Sequence, residues 1–196
     1  MRDGIIPAAA PTFQGEAGAP FLLVGQAPGP VEIEQGRPFA GRAGREIGRW
    51  MARAGFASDD EFRRLTYVTA MMRCFPGRLP SGKGDRPPPG RAVRNCLAWL
   101  EAELALLRPR VLIPVGQLAI RHFLGAGGLE DRVGRTFGDD PLVIPLPHPS
   151  GQSRWLNDPA NRDRLACALA ALAEQRRRLA GVDPGAGETP GSRLDG

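Results

Sequence analysis

Apolar residues follow two rhythms along this chain. Short unbroken apolar runs, bounded by glycine, proline or charge, occur at Phe21-Leu22-Leu23-Val24, within 66–72, within 110–115 and at Leu142-Val143-Ile144. Runs of that length without alternation predict strands buried on both faces. Between them the apolar positions recur every three or four residues. In 45–54 they are Ile47, Trp50, Met51 and Ala54; in 91–107 they are Val93, Leu97, Leu100, Leu104 and Leu107. The same spacing marks 117–124, and 161–179 through Leu165, Leu169 and Leu172. This is the period of an amphipathic helix. Strands alternating with helices predict crossover connections, and therefore a three-layer αβα fold around a four-stranded parallel sheet.

The polar and irregular stretches divide the rest. Residues 1–20 are rich in Ala, Pro and Gly and predict an irregular lead-in to a domain over 21–180. Residues 181–196 have the composition of a disordered tail. Residues 74–89 form a Pro/Gly-rich loop bearing Arg78, Lys83 and Arg86, expected to move when unbound. With 196 residues the chain suits one domain. No apolar run approaches the length of a membrane span, and Pro7-Ala8-Ala9-Ala10-Pro11 interrupts any secretory pattern. A cytoplasmic protein, expected to act as a monomer with no membrane partner, is the reading. Three cysteines, an odd number, argue against a disulfide framework. The net charge of +5 comes almost wholly from arginine, Lys83 being the only lysine. That balance fits a nucleic-acid partner, and an arginine-rich composition equally follows from a GC-rich genome.

Chemistry concentrates after the first strand and after the last. Gly25-Gln26-Ala27-Pro28-Gly29 follows the first apolar run, and Gly36-Arg37-Pro38-Phe39-Ala40-Gly41-Arg42-Ala43-Gly44 follows it closely. Glycine and proline at a strand end set a turn that aims backbone N–H groups outward, toward a carbonyl or an anion. The fourth run leads through Pro145-Leu146-Pro147 into His148-Pro149-Ser150, so prolines hold an imidazole at a second strand end.

Together these segments resemble the uracil-DNA glycosylase superfamily, over roughly Phe21 to Asn157. The closest pattern is its family 4, thermophilic-type branch, which has a GEAPG loop, a GxPFxGxAG segment and an HPS loop. The resemblance implies that a uracil is flipped out of DNA, single- or double-stranded, and cut from its sugar. Phe39 would stack on the base, or is an ordinary core phenylalanine. The amides of Gln26 and Ala27 would bond the O2 side. His148 would donate to O2 as negative charge develops there, or is a turn-capping histidine. His122, in a helical run, reads as structural. Arg73, Arg78, Arg86, Ser150, Gln152, Arg154 and Trp155 are the expected DNA contacts, with Trp155 alternatively packed under the last helix.

The chain departs from that branch in three places. Gln26 stands where family 4 has glutamate, and Ala27 where family 1 has its water-positioning aspartate. Glu32, the matched carboxylate between the glycine motifs, then becomes the candidate acid or else a surface charge, with Glu34 next. Ala70 replaces the asparagine that reads the uracil edge, and Asn157 is the candidate substitute unless it caps the last helix. Family 4 also carries an iron–sulfur cluster on four cysteines. Here Cys74 and Cys96 match the later pair, none precedes them, and Cys167 reads as core, so no metal and no cofactor is expected. The rival reading is a non-catalytic uracil-DNA or damaged-base binding protein of the same fold.

Overall fold

A computed structural model describes residues 10–150 and 154–179. Four strands form the centre: β1 (Phe21–Gly25), β2 (Thr66–Ala70), β3 (Val111–Pro114) and β4 (Leu142–Val143). All pair in parallel, in the order β2-β1-β3-β4. β4 is short because Pro145 lacks an amide hydrogen. Its pairing nevertheless runs on, with Ile144 N–H donating to Leu112 O at 2.9 Å and Leu146 N–H to Pro114 O at 3.0 Å.

Every residue of β1 is buried, as its continuous apolar run requires. Phe21 and Leu23 point to one face, with Val68 and Ile113, and Leu22, Val24 and Leu112 to the other. The first face is covered by α2 (Arg42–Arg53), α3 (Asp59–Leu65) and α7 (Pro159–Leu179), through Ile47, Trp50, Met51, Phe62, Leu165, Leu169 and Leu172. Opposite lies α4 (Gly90–Leu107), with Ala92, Val93 and Leu100 against the sheet. Burying each large aliphatic or aromatic side chain contributes about 1.5–3 kcal/mol. The three-layer αβα arrangement with a four-stranded parallel sheet is therefore present. Among the described residues no helix is long and apolar enough to cross a membrane.

Four elements extend the sequence reading: α1 (Pro30–Gln35), α3, α6 (Leu129–Arg132) and a 3-10 turn at Arg154–Asn157. α5 (Gln117–Leu124) falls where periodicity put it. The loop over 74–89 contains a short two-stranded ribbon. Arg78 pairs with Asp85 across an antiparallel bridge, closed by Leu79 N–H to Gly84 O (3.0 Å) and Arg86 N–H to Gly77 O (2.8 Å). Residues 1–9 and 180–196 lie outside the described residues, and with them the first part of the lead-in read over 1–20 and the tail read over 181–196.

The strand order has a functional consequence. β1 is flanked by β2 on one side and β3 on the other, so the connections leave in opposite directions. Open parallel sheets form a crevice at such a point, outside the carboxyl ends of the strands. Here those ends carry Gly25 and the turn at Val115-Gly116.

Candidate active site

A cleft of about 710 Å³ opens there, within the range of small-molecule sites. The β1 loop supplies Gly25 to Gly29, the second glycine segment supplies Pro38, Phe39 and Gly41, and the β4 loop brings His148 and Ser150. Two segments distant in sequence thus meet at one edge of the sheet.

His148 is held from both sides. Its ring lies over the backbone of Gly116, where a β-carbon would stand 3.2 Å from its Cδ2. Gly116 also has φ +83°, a conformation that disfavours any side chain. The Ser150 N–H donates to His148 Nδ1 at 3.2 Å. A nitrogen that accepts cannot carry the proton, so the neutral ring bears it on Nε2. Burial lowers the His148 pKa from its ordinary 6.5 and favours that neutral form.

Phe39 is half-buried, with its ring edge 3.1 Å from where a β-carbon on Gly25 would lie. Its backbone φ is +52°, costly for a residue with a side chain. Gly44 explains how the conformation is held. A β-carbon there would fall 1.7 Å from the Phe39 carbonyl oxygen, so the start of α2 presses directly on that backbone.

Glu32 lies on α1 and is buried, at 8% exposure. One carboxylate oxygen accepts from Gly29 N–H at 3.0 Å, and the other from Gly41 N–H at 2.8 Å. The carboxylate expected to hold water is engaged with the backbone of the two glycine segments. These two bonds hold Glu32 in place at the cleft that it lines. Glu34, the next candidate, is exposed and lies outside the cleft. Ala70 lines the cleft at the end of β2 and offers no polar group. Beside it, the hydroxyl of Thr69 is buried without a partner among the described residues, a donor that sequence reading missed.

The expected DNA contacts divide. Arg78 and Arg86 are exposed at the cleft, and Arg154 is exposed on the 3-10 turn. Arg42, at the start of α2, joins the lining and was not anticipated. Arg73 is corrected: it pairs with Glu103 at 2.5 Å, its side chain 11% exposed, between the rings of Phe13 and Trp99. Glu103 also accepts from the Tyr67 hydroxyl at 2.8 Å. A guanidinium enclosed in this way serves the fold. Trp155 packs against the core, and its carbonyl accepts from Asn161 Nδ2 at 3.0 Å. Asn157 is exposed away from the cleft, and Asp158 caps α7 instead by accepting from Ala160 N–H at 2.9 Å. Its role in reading the base is corrected too. Gln152 lies outside the described residues.

The thiols do not fit a four-thiolate cluster. Cys74 and Cys96 pack beside the α4 layer, whereas Cys167 is exposed on α7. Burial raises the Cys74 pKa, which favours the thiol over the ligating thiolate. Among the described residues no group of three or more His, Cys, Asp or Glu is placed to hold a metal ion.

Comparison with known proteins agrees with this geometry. The family model of the uracil DNA glycosylase superfamily matches residues 12–173. A type-4 uracil-DNA glycosylase of Pyrobaculum aerophilum is 32% identical over 111 residues, 57% of this chain and 51% of that protein. One from Archaeoglobus fulgidus is 29% identical over 116 residues, covering 59% and 53%. A third, from Thermotoga maritima, is 27% identical over 141 residues, covering 70% and 68%. The chain thus spans about half the length of the first two relatives.

Proposed function

The chain belongs to the uracil DNA glycosylase superfamily, and we propose that it excises uracil from single- and double-stranded DNA by hydrolysis of the N-glycosidic bond, with no metal and no cofactor. The observation that carries this reading is the Nε2–H of His148, fixed by the Ser150 contact and lining the cleft that also contains the β1 loop and Phe39. A flipped pyrimidine stacks on Phe39. As the bond to the sugar breaks, its electron pair moves to the departing base. The His148 Nε2–H and the amides of Gln26 and Ala27 meet that charge, and donors placed where charge develops lower the barrier. Arg42, Arg78, Arg86 and Arg154 supply contacts to phosphate. The relatives named as type-4 uracil-DNA glycosylases support the choice of base.

The test is single-turnover cleavage of a uracil-containing oligonucleotide, read on a gel after alkali opens abasic sites. Wild type cleaves, and His148→Ala loses about 10²–10³ in rate while binding changes little. Uracil-DNA that is bound and left intact by wild type would favour the non-catalytic alternative.

A further inference from the structure

Departure of the base leaves a cationic, oxocarbenium-like sugar, which calls for an anion and for a base to take the proton of the attacking water. Gln26 and Ala27 provide neither. Two carboxylates line the cleft among the described residues, Glu32 and Asp85. Both oxygens of Glu32 accept hydrogen bonds from the Gly29 and Gly41 amides. Asp85 comes from the ribbon formed by 77–86, and a β-carbon built on Gly29 would lie 2.9 Å from Glu32 Oε2 and 3.4 Å from Asp85 Oδ2.

The ribbon fixes where Asp85 points. The bonds from Leu79 N–H to Gly84 O and from Arg86 N–H to Gly77 O make Arg78 and Asp85 a non-hydrogen-bonded pair. Side chains of such a pair share one face and stand close together. Both line the cleft. A β-carbon built on Gly29 would lie 3.4 Å from Asp85 Oδ2, so this carboxylate overhangs the β1 loop. No hydrogen bond or ion pair among the described residues engages it.

We propose that Asp85 is the catalytic carboxylate of this site, taking the place of the acids missing at Gln26 and Ala27. The inference rests on the glycosylase reading above. The bond between C1′ of the deoxyribose and N1 of uracil breaks, and its electron pair leaves with the base. Asp85 faces the resulting cation and accepts a hydrogen bond from water. Water attacks C1′, its oxygen forms the new bond, and its proton passes to Asp85 and then to solvent. The uracil anion, held by His148, is protonated on release. Water and the deoxyuridine unit become an abasic sugar and uracil, with no oxidant or co-reactant. Arg78 beside it engages the phosphate that fixes the sugar's position.

The experiment compares wild type, Asp85→Asn and Asp85→Ala in single-turnover cleavage of a uracil-containing single-stranded oligonucleotide. Affinity for the same oligonucleotide is measured alongside, with and without added sodium formate. Both variants are expected to lose about 10²-fold or more in rate, as removal of a positioned base does, while binding the oligonucleotide as tightly as wild type or more so. Formate, a small free carboxylate, is expected to restore rate to Asp85→Ala, which has room for it, and not to Asp85→Asn. An Asp85→Asn rate within about threefold of wild type, or equal losses of rate and binding, would overturn the assignment while leaving the glycosylase reading intact. A wild-type protein inactive on uracil-DNA would overturn both.

Discussion

Glu32 and Gly41, nine residues apart, are joined by a 2.8 Å hydrogen bond from the Gly41 amide to the Glu32 carboxylate. The same carboxylate takes the Gly29 amide with its other oxygen. One buried side chain therefore ties the loop after β1 to the segment carrying Phe39. Negative charge at the first turn of α1 also complements the helix dipole.

Glu32→Gln tests that role. Glutamine has one acceptor oxygen, and its NH2 would face one of the two amides. An unsatisfied buried N–H costs about 1–3 kcal/mol, and each kcal/mol lowers the melting temperature by about 2–4 °C at this chain length. Amide exchange at Gly29 and Gly41 should accelerate together, as measured by NMR. Slowed exchange or an unchanged melt would show that the carboxylate does not hold the loops.

Two glycines of α2 make opposite predictions. Gly44→Ala places a methyl group 1.7 Å from the Phe39 carbonyl oxygen, and overpacking of that kind costs about 1–3 kcal/mol. Affinity for uracil-DNA should fall with it, because the strained Phe39 backbone loses its seat. A β-carbon at Gly48 meets nothing within 4 Å. Gly48→Ala should stabilise by about 0.5–1 kcal/mol through lower unfolded-state entropy and leave binding alone. Denaturant melts of the two variants check the contrast.

Glu103 holds Arg73 and the single tyrosine, Tyr67, in one buried cluster. Removing one partner of such a pair typically costs about 3–5 kcal/mol, since the other charge stays buried. Glu103→Ala should therefore approach unfolding at moderate temperature. Glu103→Gln permits a finer reading. Burial first, then the hydrogen bond and charge of Glu103, raise the Tyr67 pKa well above its ordinary 10.0. Without the charge, phenolate absorbance should appear at lower pH than in wild type. An unshifted titration would mean that Tyr67 and Glu103 do not interact in solution.

The sheet was legible because β1 and β3 are buried on both faces and read as uninterrupted apolar runs. The two halves of the cleft were legible because glycine and proline are obligatory at their turns, as at Gly116 under His148. α3 was missed although Ser58-Asp59-Asp60-Glu61 carries a helix-start signature; Ser58 accepts from Glu61 N–H at 3.1 Å. Its few apolar positions, Phe62 and Leu65, gave periodicity little to work with. The fates of Arg73, Glu32 and Asp85 were not readable. Each depends on a partner brought close by folding: Glu103 thirty positions on, Gly41 across a loop, and Gly29 against the ribbon. Sequence records that a residue is charged; the fold decides whether that charge meets a substrate or another side chain.

The pH dependence of stability should carry a signature of His148. Burial lowers its folded pKa below 6.5, the value expected in the unfolded chain. Between those two values the unfolded state binds a proton that the folded state does not, so stability falls as pH drops below 6.5 toward the folded pKa. Protonation would also put a hydrogen on Nδ1, where the Ser150 N–H already points, and break that contact. His148→Gln cannot titrate and should flatten this part of the stability curve, leaving only the carboxylate-dependent loss at lower pH. NMR should find the Nδ1 of wild-type His148 unprotonated at pH 6.5. Equal pH slopes in the two proteins would show that burial does not shift the imidazole away from its ordinary titration.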